Sequence, residues 1–329
     1  MLFTIAVIPL KLSAFSVCLN STRPWPQIMT RVADAVILAG GKGTRMLPAS
    51  LYMPKEIMPL VDTPILHHLI WEAVRAGAQR IHLVLSERKS ELLRSALGST
   101  EPLFGQDVRP ELPRSALTPH IEGVETMVHI QHRPGGVGDA ISTALGGIKG
   151  PFLVILGDNL LIKEHIGPSN SGPDSASSAS LELVERFEKT GVPSVGVLEV
   201  PEEEVHKYGV LSFNGDMVES IVEKPVPSES PSRYVLCGRY LLPENTSEVL
   251  DLFPENEHGE MQSIALLRHL INFGGLEAVK LDGYEMYDSG DPLSWLKSQV
   301  DHAIRREDIG EEISIWLRTM IGKGRNPPE

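Results

Sequence analysis

The sequence predicts an α/β fold: a doubly wound, mostly parallel mixed sheet with antiparallel additions in its second half. Residues 35–85 form a strand, a loop, a helix and a second strand, which implies a parallel pair joined by a right-handed crossover. Two further apolar strands, 127–131 and 152–156, extend this pattern. After residue 190, short strands flank an Asn-Gly turn at 214–215, which is typical of an antiparallel hairpin.

Local signals mark the ends of the predicted helices. In the first helix, Thr63 is expected to be the cap, Pro64 the first residue and Gly77 the terminator. Another helix is predicted over 260–272. The last helix carries an apolar stripe that either packs on the chain's own core or contacts another subunit: Ile313, Trp316, Leu317, Met320 and Ile321. We expect a homo-oligomer.

The segment 167–180, "GPSNSGPDSASSAS", differs in composition from its neighbours. Gly, Pro, Ser and Ala dominate it, so it carries too little apolar surface to order itself by burial. We therefore predict a mobile surface loop at this position.

Composition excludes several classes of protein. The 329 residues carry a net charge of −13, which argues against a nucleic-acid binder, because a phosphate backbone needs a basic face. Any bound anion must instead be held by a local cluster of cations and backbone amides. Two cysteines, Cys18 and Cys237, are too few for a disulfide framework and lack the spacing of a zinc site. We expect a reducing, cytoplasmic location.

The first 28 residues are apolar but make a poor signal peptide, because no basic residue precedes the apolar run and Lys11 interrupts it. The uninterrupted run is also too short for a stable membrane span. Our hypothesis is that the working polypeptide begins near Met29 and that 1–28 is a dispensable extension. The alternative is a weak membrane or export segment.

The loop after the first strand has the composition of an anion site. "AGGKGTR", residues 39–45, places three glycines and two cations directly after an apolar strand. Without side chains the backbone can approach a ligand closely, and its amides can cradle phosphates. Neither the dinucleotide pattern nor the Walker pattern fits, since Met46 stands where a third glycine is required and Gly43 follows Lys42. A glycine turn without a ligand is the alternative.

Eight blocks in fixed order resemble the sugar-1-phosphate nucleotidyltransferases. They are "LAGGKGTRMLPAS", "PKEIMPLVDTPILHH", "PGGVGDA", "YGV", "VEKP", "CGRY", "GEMQ" and "YDSGDP". The first two blocks and "GEMQ" are most similar to the bacterial-type UTP–glucose-1-phosphate uridylyltransferases within that family. The resemblance spans roughly residues 33–320 and implies the nucleotide-diphospho-sugar transferase type of α/β fold.

The resemblance implies that a sugar 1-phosphate attacks the α-phosphate of a nucleoside triphosphate and that pyrophosphate leaves. Because both reactants are anions, such a protein aligns and neutralises them rather than supplying a nucleophile. It assigns the triphosphate to the loop that ends in the catalytic Arg45, with Lys55 adding charge, and the base edge to Gln131 and Gly136. The implied loop contacts are Ala39, Gly40, Gly41, Gly43 and Thr44. Gln131 alone would be an ordinary polar residue at a strand end.

On the sugar side, the resemblance implies that Gly209 leaves room for a hexose and that Glu223 accepts hydrogen bonds from its hydroxyls. Lys224 is the implied partner of the sugar phosphate and a catalytic residue. Strand neighbours face opposite ways unless the strand ends, and Pro225 indicates that it ends here. The alternative is a solvated surface pair.

A magnesium site is expected at two acids. Mg²⁺ prefers phosphate oxygens with one or two protein carboxylates. Asp158 follows a parallel strand, where open α/β sheets place ligands. The resemblance implies that Asp158, also counted as catalytic, and Asp288 meet at one ion, with Asp291 as the alternative acid in "DSGD". Asp158 could instead be a turn residue bonded to its own backbone.

The expected organisation is one domain over 29–322 after the extension. Its parts are a nucleotide-binding half 33–160, the loop 167–180, a sugar-binding half 190–292 and C-terminal helices 292–322. Three features depart from the uridylyltransferase pattern: the "LGDN" context resembles thymidylyltransferases, "SIALL" follows "GEMQ", and the serine-rich loop has no counterpart. The alternatives to a UTP and glucose 1-phosphate enzyme are a dTTP enzyme, a silent regulatory relative and a dinucleotide-binding oxidoreductase.

Overall fold

The computed structural model describes residues 31–97, 109–253, 261 and 263–322. The predicted extension 1–28 lies outside these ranges, as do three of the four residues of "GEMQ". The strands are β1 Asp34–Leu38, β2 Pro59–Leu60, β3 Thr63–Pro64, β4 Arg80–Ser86, β5 Glu125–Gln131, β6 Phe152–Leu156, β7 Asn159–Ile162, β8 Ser194–Glu199, β9 Gly209–Asn214, β10 Met217–Glu223, β11 Tyr234–Leu242, β12 Glu277–Lys280 and β13 Glu285–Asp288. The helices are α1 Ile65–Arg75, α2 Glu87–Leu97, α3 Arg114–Leu117, α4 Gly136–Ala144, α5 Ala179–Thr190, α6 Thr246–Leu250, α7 Ser263–Phe273, α8 Pro292–Arg305 and α9 Gly310–Gly322.

The central sheet has nine strands in the order β5-β4-β1-β6-β11-β8-β12-β10-β9. Strands β5, β4, β1 and β6 are all parallel, whereas β11 is antiparallel to both β6 and β8. The predicted hairpin forms as the antiparallel pair β9–β10, with Gly215 in the left-handed conformation. These pairings confirm the α/β class, the parallel first half and the antiparallel additions.

Alternation along β1 explains why helices cover both faces of the sheet. Ala35 and Ile37 point into an apolar cluster with Leu69 of α1, whereas Val36 points into a second cluster with Ile141 of α4. All five side chains are fully buried. Because both faces are covered, polar groups of the parallel strands can meet a ligand only at the strand ends.

The predicted cap of the first helix is wrong. Thr63 pairs with Leu60 in the small sheet of β2 and β3, and α1 begins at Ile65, preceded by Pro64 without a side-chain cap. The Thr63 hydroxyl faces Asp62 instead of the first turn. Gly77, with φ of +97°, follows the helix as expected.

The serine-rich segment, predicted as a mobile surface loop, contains local structure and packs against α1, and its mobility stays a prediction. It contains two 3₁₀ turns, and α5 begins inside it at Ala179. Ser180 is fully buried and donates to Glu72 of α1 at 2.5 Å, and the Arg75 guanidinium donates to the Ala176 carbonyl. Hydrogen bonds therefore join this segment to α1 although it has little apolar surface, and composition alone could not indicate these contacts.

The apolar stripe of α9 lies largely at the surface. Trp316 is 55% exposed, Met320 53% and Ile321 78%, and among the helix's described side chains only Gly310 is buried. The helix therefore does not bury this stripe in the core of its own chain. Homo-oligomer formation stays a prediction. Within the described ranges, no helix combines the length and the apolar character needed to cross a bilayer.

Buried histidines between α1 and α8 make stability depend on pH. Burial lowers the pKa of His67 and of His302 from 6.5 to about 4, and burial with the neighbouring histidine charges lowers that of His68 to about 3. Below about pH 6.5 the unfolded chain therefore binds protons that the folded chain does not, so stability falls as pH falls toward 4. Each such histidine contributes at most about 1.4 kcal/mol per pH unit.

Urea unfolding between about pH 7 and pH 5 measures this slope. His302→Gln is expected to flatten it, whereas His206→Gln, at an exposed histidine, leaves it unchanged. An unfolding free energy that is constant over this interval would contradict the neutral state of the buried rings.

Candidate active site

The glycine loop leaves β1 as an open stretch of backbone. A side chain at Gly41 would meet no atom within 4 Å, so this peptide is free to approach a ligand. Gly43 adopts φ of +65° and leads into a 3₁₀ turn, Thr44–Met46, whose Arg45 is exposed. Ser50 stabilises this turn, because its hydroxyl donates to the Gly43 carbonyl at 2.8 Å.

Gln131 stands beside this loop, at the end of β5. Its amide nitrogen donates to Asp139 at 2.7 Å and to the Gly136 carbonyl at 3.3 Å, which turns its oxygen towards Gly40. A Cβ at Gly40 would lie only 2.6 Å from that oxygen, so any larger residue there would displace the Gln131 amide. The structure thus brings together the predicted triphosphate loop and both predicted base-reading residues.

Asp158 and Asp288, 130 positions apart in the sequence, approach each other through the small sheet of β7 and β13. This sheet places Asp288 opposite Asn159, the residue after Asp158. Burial, together with the charge of Asp158, raises the pKa of Asp288 above its usual range. The Gly290 amide, Lys55 and Arg45 act in the opposite direction and lower this pKa, but their effect is smaller. Within the described ranges, no group of three or more histidines, cysteines and acids is placed to hold a metal ion, here or at any other position.

Two cations flank these acids. The buried Lys55 ammonium lies 3.1 Å from Asp158 Oδ2. The Arg45 guanidinium and the Asp288 carboxylate both lie beside Gly290. A Cβ placed on Gly290 would be 2.9 Å from Arg45 Nη2 and 2.7 Å from Asp288 Oδ1. The glycine loop, the acids and the predicted cations therefore share one end of the sheet.

Asp291, the alternative acid, caps α8. Its Oδ1 accepts from the amides of Leu293 and Ser294, each at 3.0 Å, and these bonds hold its pKa below the usual range. A carboxylate engaged in this way stabilises the helix N-terminus. The geometry favours Asp288 over Asp291 as the acid beside Asp158.

The sugar-side residues also lie together. Glu223 is opposite Gly209 in the β9–β10 pair, and a Cβ at Gly209 would lie 3.2 Å from Glu223 Oε2. Lys224 adopts φ of +45°, a conformation that only a small share of residues other than glycine adopt and that often marks a functional position. The strand ends there as predicted, and the Lys224 ammonium lies 3.6 Å from Glu223 Oε1.

Two tyrosines, the buried Tyr240 and the half-buried Tyr208, are affected by charges of the site. Burial and nearby charges, including those of Glu223 and Asp158, raise the pKa of Tyr240. Burial, Glu204 and Asp288 likewise raise the pKa of Tyr208, next to Gly209, to about 12. Glu223 and Asp158 both influence Tyr240, and Asp288 influences Tyr208, so charges of the sugar-side residue and of the paired acids act on neighbouring rings.

Two buried ion pairs behind the site were missed by sequence reasoning. Lys89 of α2 lies 2.7 Å from each carboxylate oxygen of Glu56, and Arg239 of β11 binds Glu72 of α1 at 2.7 and 2.9 Å. Arg239 also donates to the Asn159 carbonyl at 2.9 Å. "PKEIMPL" and "CGRY" marked Glu56 and Arg239 only as parts of blocks, and Lys89 and Glu72 carry no sequence signal at all.

Comparison with known proteins agrees with this geometry. The Nucleotidyl transferase family matches residues 34–303, and the chain belongs to this family. It is therefore a nucleotidyltransferase, which confirms the predicted family and class of enzyme and makes the oxidoreductase alternative wrong.

Similar proteins carry more specific names. A UTP–glucose-1-phosphate uridylyltransferase of Streptococcus pyogenes is 28% identical over 298 residues, covering 88% of this chain and 94% of the relative. A UDP-glucose pyrophosphorylase solved with UDP-glucose is 27% identical with a TM-score of 0.70, covering 83% of this chain and 98% of that one. A UTP-bound enzyme of the same type from Acinetobacter baumannii is 25% identical with a TM-score of 0.70, and the match covers 90% of this chain and 100% of that one.

Proposed function

We propose that the chain joins glucose 1-phosphate to UTP and releases pyrophosphate, yielding UDP-glucose. The observation that carries the proposal is the meeting of Asp158, Asp288, Lys55 and Arg45 beside an open glycine loop. The names of the similar proteins support the choice of UTP and glucose 1-phosphate. The roles of the site residues are part of this proposal.

The proposed reaction is a direct displacement. A phosphate oxygen of the sugar 1-phosphate forms a bond to the α-phosphorus of the nucleotide. The bond from that phosphorus to the bridging oxygen breaks, and pyrophosphate leaves with the electron pair. Because the attacking oxygen is already ionised, the protein needs no general base and acts through alignment and charge.

Each named residue has a part in that alignment. The backbone of 39–44 holds the triphosphate, and Arg45 stabilises the charge that develops on the leaving phosphates. Lys224 holds the sugar phosphate, and Glu223 accepts from the sugar hydroxyls across the space that Gly209 leaves open. The Gln131 oxygen, turned towards Gly40, can accept the N–H of a pyrimidine.

Asp158 and Asp288 would hold Mg²⁺. Their oxygens suit this ion, which takes one or two carboxylates and completes its octahedron with phosphate oxygens and water. When bound, Mg²⁺ would screen the α-phosphate charge that otherwise repels the incoming sugar phosphate. Lys55, hydrogen-bonded to Asp158, fixes the orientation of that carboxylate.

A matrix of nucleoside triphosphates against sugar 1-phosphates, with pyrophosphate release as readout, tests the proposal. UTP with glucose 1-phosphate should give the highest kcat/KM, and dTTP should come second. One methyl group in a pocket changes discrimination by only about 1–3 kcal/mol, so some use of dTTP is expected. Comparable values for ATP or GTP would contradict the assignment of the base pocket. Release with no pair would favour the silent regulatory alternative.

Lys224→Ala is expected to impair the use of glucose 1-phosphate far more than the binding of UTP. Loss of a charge-assisted hydrogen bond typically costs about 1.5–3 kcal/mol. Steady-state kinetics measures the loss, with Lys207→Ala as control, since Lys207 is also exposed and paired with a nearby glutamate. If Lys224→Ala matched the control, Lys224 would be the solvated surface partner of Glu223.

A further inference from the structure

Lys89 is a buried residue of α2 that contacts two parts of the candidate active site, the start of the glycine loop and the turn that carries Lys55. Its ammonium donates to the Ala39 carbonyl and lies within bonding distance of both Glu56 oxygens, all at 2.7 Å. Lys89 is 6% exposed, and Glu56 and Ala39 are each 1% exposed. The ammonium has three donors, so these contacts occupy its hydrogen-bonding capacity and leave none for a phosphate.

Both groups that Lys89 binds adjoin predicted substrate contacts. Ala39 precedes Gly40 and lies one residue beyond the end of β1, and no backbone amide of the described residues donates to its carbonyl. Glu56 follows Lys55 in one 3₁₀ turn, Lys55–Ile57, and Lys55 reaches Asp158. One ammonium therefore links the start of the glycine loop to the turn that carries Lys55.

We propose that Lys89, acting through Glu56 and the Ala39 carbonyl, is a positioning residue that fixes the glycine loop and Lys55 at the spacing the triphosphate requires. This proposal rests on the proposed function for the identity of the substrate. Three short bonds among nearly fully buried groups define the separation more tightly than apolar contacts would, because hydrogen bonds are directional. Lys89 itself touches no substrate.

The Glu56→Leu/Lys89→Met double variant tests the proposal. Replacing both partners of a buried pair by apolar side chains often preserves the fold, whereas removing one leaves a buried charge. We expect UTP affinity and kcat to fall at least ten-fold, because a misplacement of about 1 Å costs on the order of 10²-fold. The KM for glucose 1-phosphate should stay within two-fold of wild type, because its predicted contacts lie on β9, on β10 and at Lys224 directly after β10.

Asp34→Asn is the control for a merely structural loss, since Asp34 is a fully buried partner of Arg80 and His82 at the opposite end of β1. This variant should lower the Tm, but it should not weaken UTP binding while leaving the KM for glucose 1-phosphate unchanged. If the double variant does not fold, Glu56→Gln replaces it as the test variant, because it keeps the side-chain shape. Glu56→Gln should weaken UTP binding several-fold.

Calorimetric UTP binding keeps this test independent of turnover. If the wild type bound UTP but released no pyrophosphate with any sugar phosphate, the proposed function would be wrong. The positioning role of Lys89 could still be tested by UTP binding. A folded double variant, or in its place a folded Glu56→Gln, with UTP affinity and kcat within two-fold of wild type would overturn the positioning role.

Discussion

Asp158→Asn and Asp288→Asn are each expected to lose most Mg²⁺-dependent pyrophosphate release while remaining folded. Each change removes one negative charge from the pair and keeps the side-chain shape, so the proposed metal site loses charge balance but little packing. We expect a loss on the order of 10²-fold or more in kcat, as for other groups that act on developing charge.

Asp291→Asn is the matched control, because asparagine caps helices about as well as aspartate. Asp291 is three residues from Asp288, and its carboxylate already accepts two amides of α8. The variant should keep near-normal activity and metal dependence. If Asp288→Asn retained activity and Asp291→Asn did not, the metal site would have to be placed at Asp291.

Arg239→Met is expected to cause the largest loss of stability, about 3–5 kcal/mol of unfolding free energy. Arg239 is fully buried, and its removal leaves the Glu72 carboxylate buried without its cation and the Asn159 carbonyl without its donor. Glu72 would keep only the Ser180 hydroxyl among these partners. Urea unfolding followed by circular dichroism measures the difference.

The Glu72→Leu/Arg239→Met double variant separates charge from packing. If the single loss comes from an uncompensated buried carboxylate, the double variant should regain most of the lost free energy. A loss below about 1 kcal/mol in Arg239→Met would show instead that water reaches this pair and compensates the charge.

The first half of the fold could be predicted because its signals are local. The apolar run before Gly40 and the periodic helix before Gly77 each specify one element. The crossover rule then fixes how the elements pair. Thr63 failed as a cap because a two-residue strand pair used the same residues. Such a short tertiary pairing leaves no trace in hydrophobic periodicity.

The candidate site was predictable only in part. The glycine loop and Asp158 follow from strand ends, whereas the partnership of Asp158 with Asp288 came from family resemblance and no local pattern shows it. Lys89 and Glu72 could not be predicted, since a charged residue on an amphipathic helix is normally solvated. Their burial depends on a partner that folding supplies from another element, and the same holds for the serines of 167–180.

Product labelling tests the central claim most directly. In the proposed reaction, the sugar phosphate becomes bonded to the α-phosphorus of UTP at the glycine loop, and the β- and γ-phosphates leave. With glucose 1-phosphate and the α-position of UTP labelled by different phosphorus isotopes, UDP-glucose should carry both labels and pyrophosphate neither. Label from either position in pyrophosphate, or no doubly labelled product from an enzyme that binds UTP, would contradict the proposed reaction.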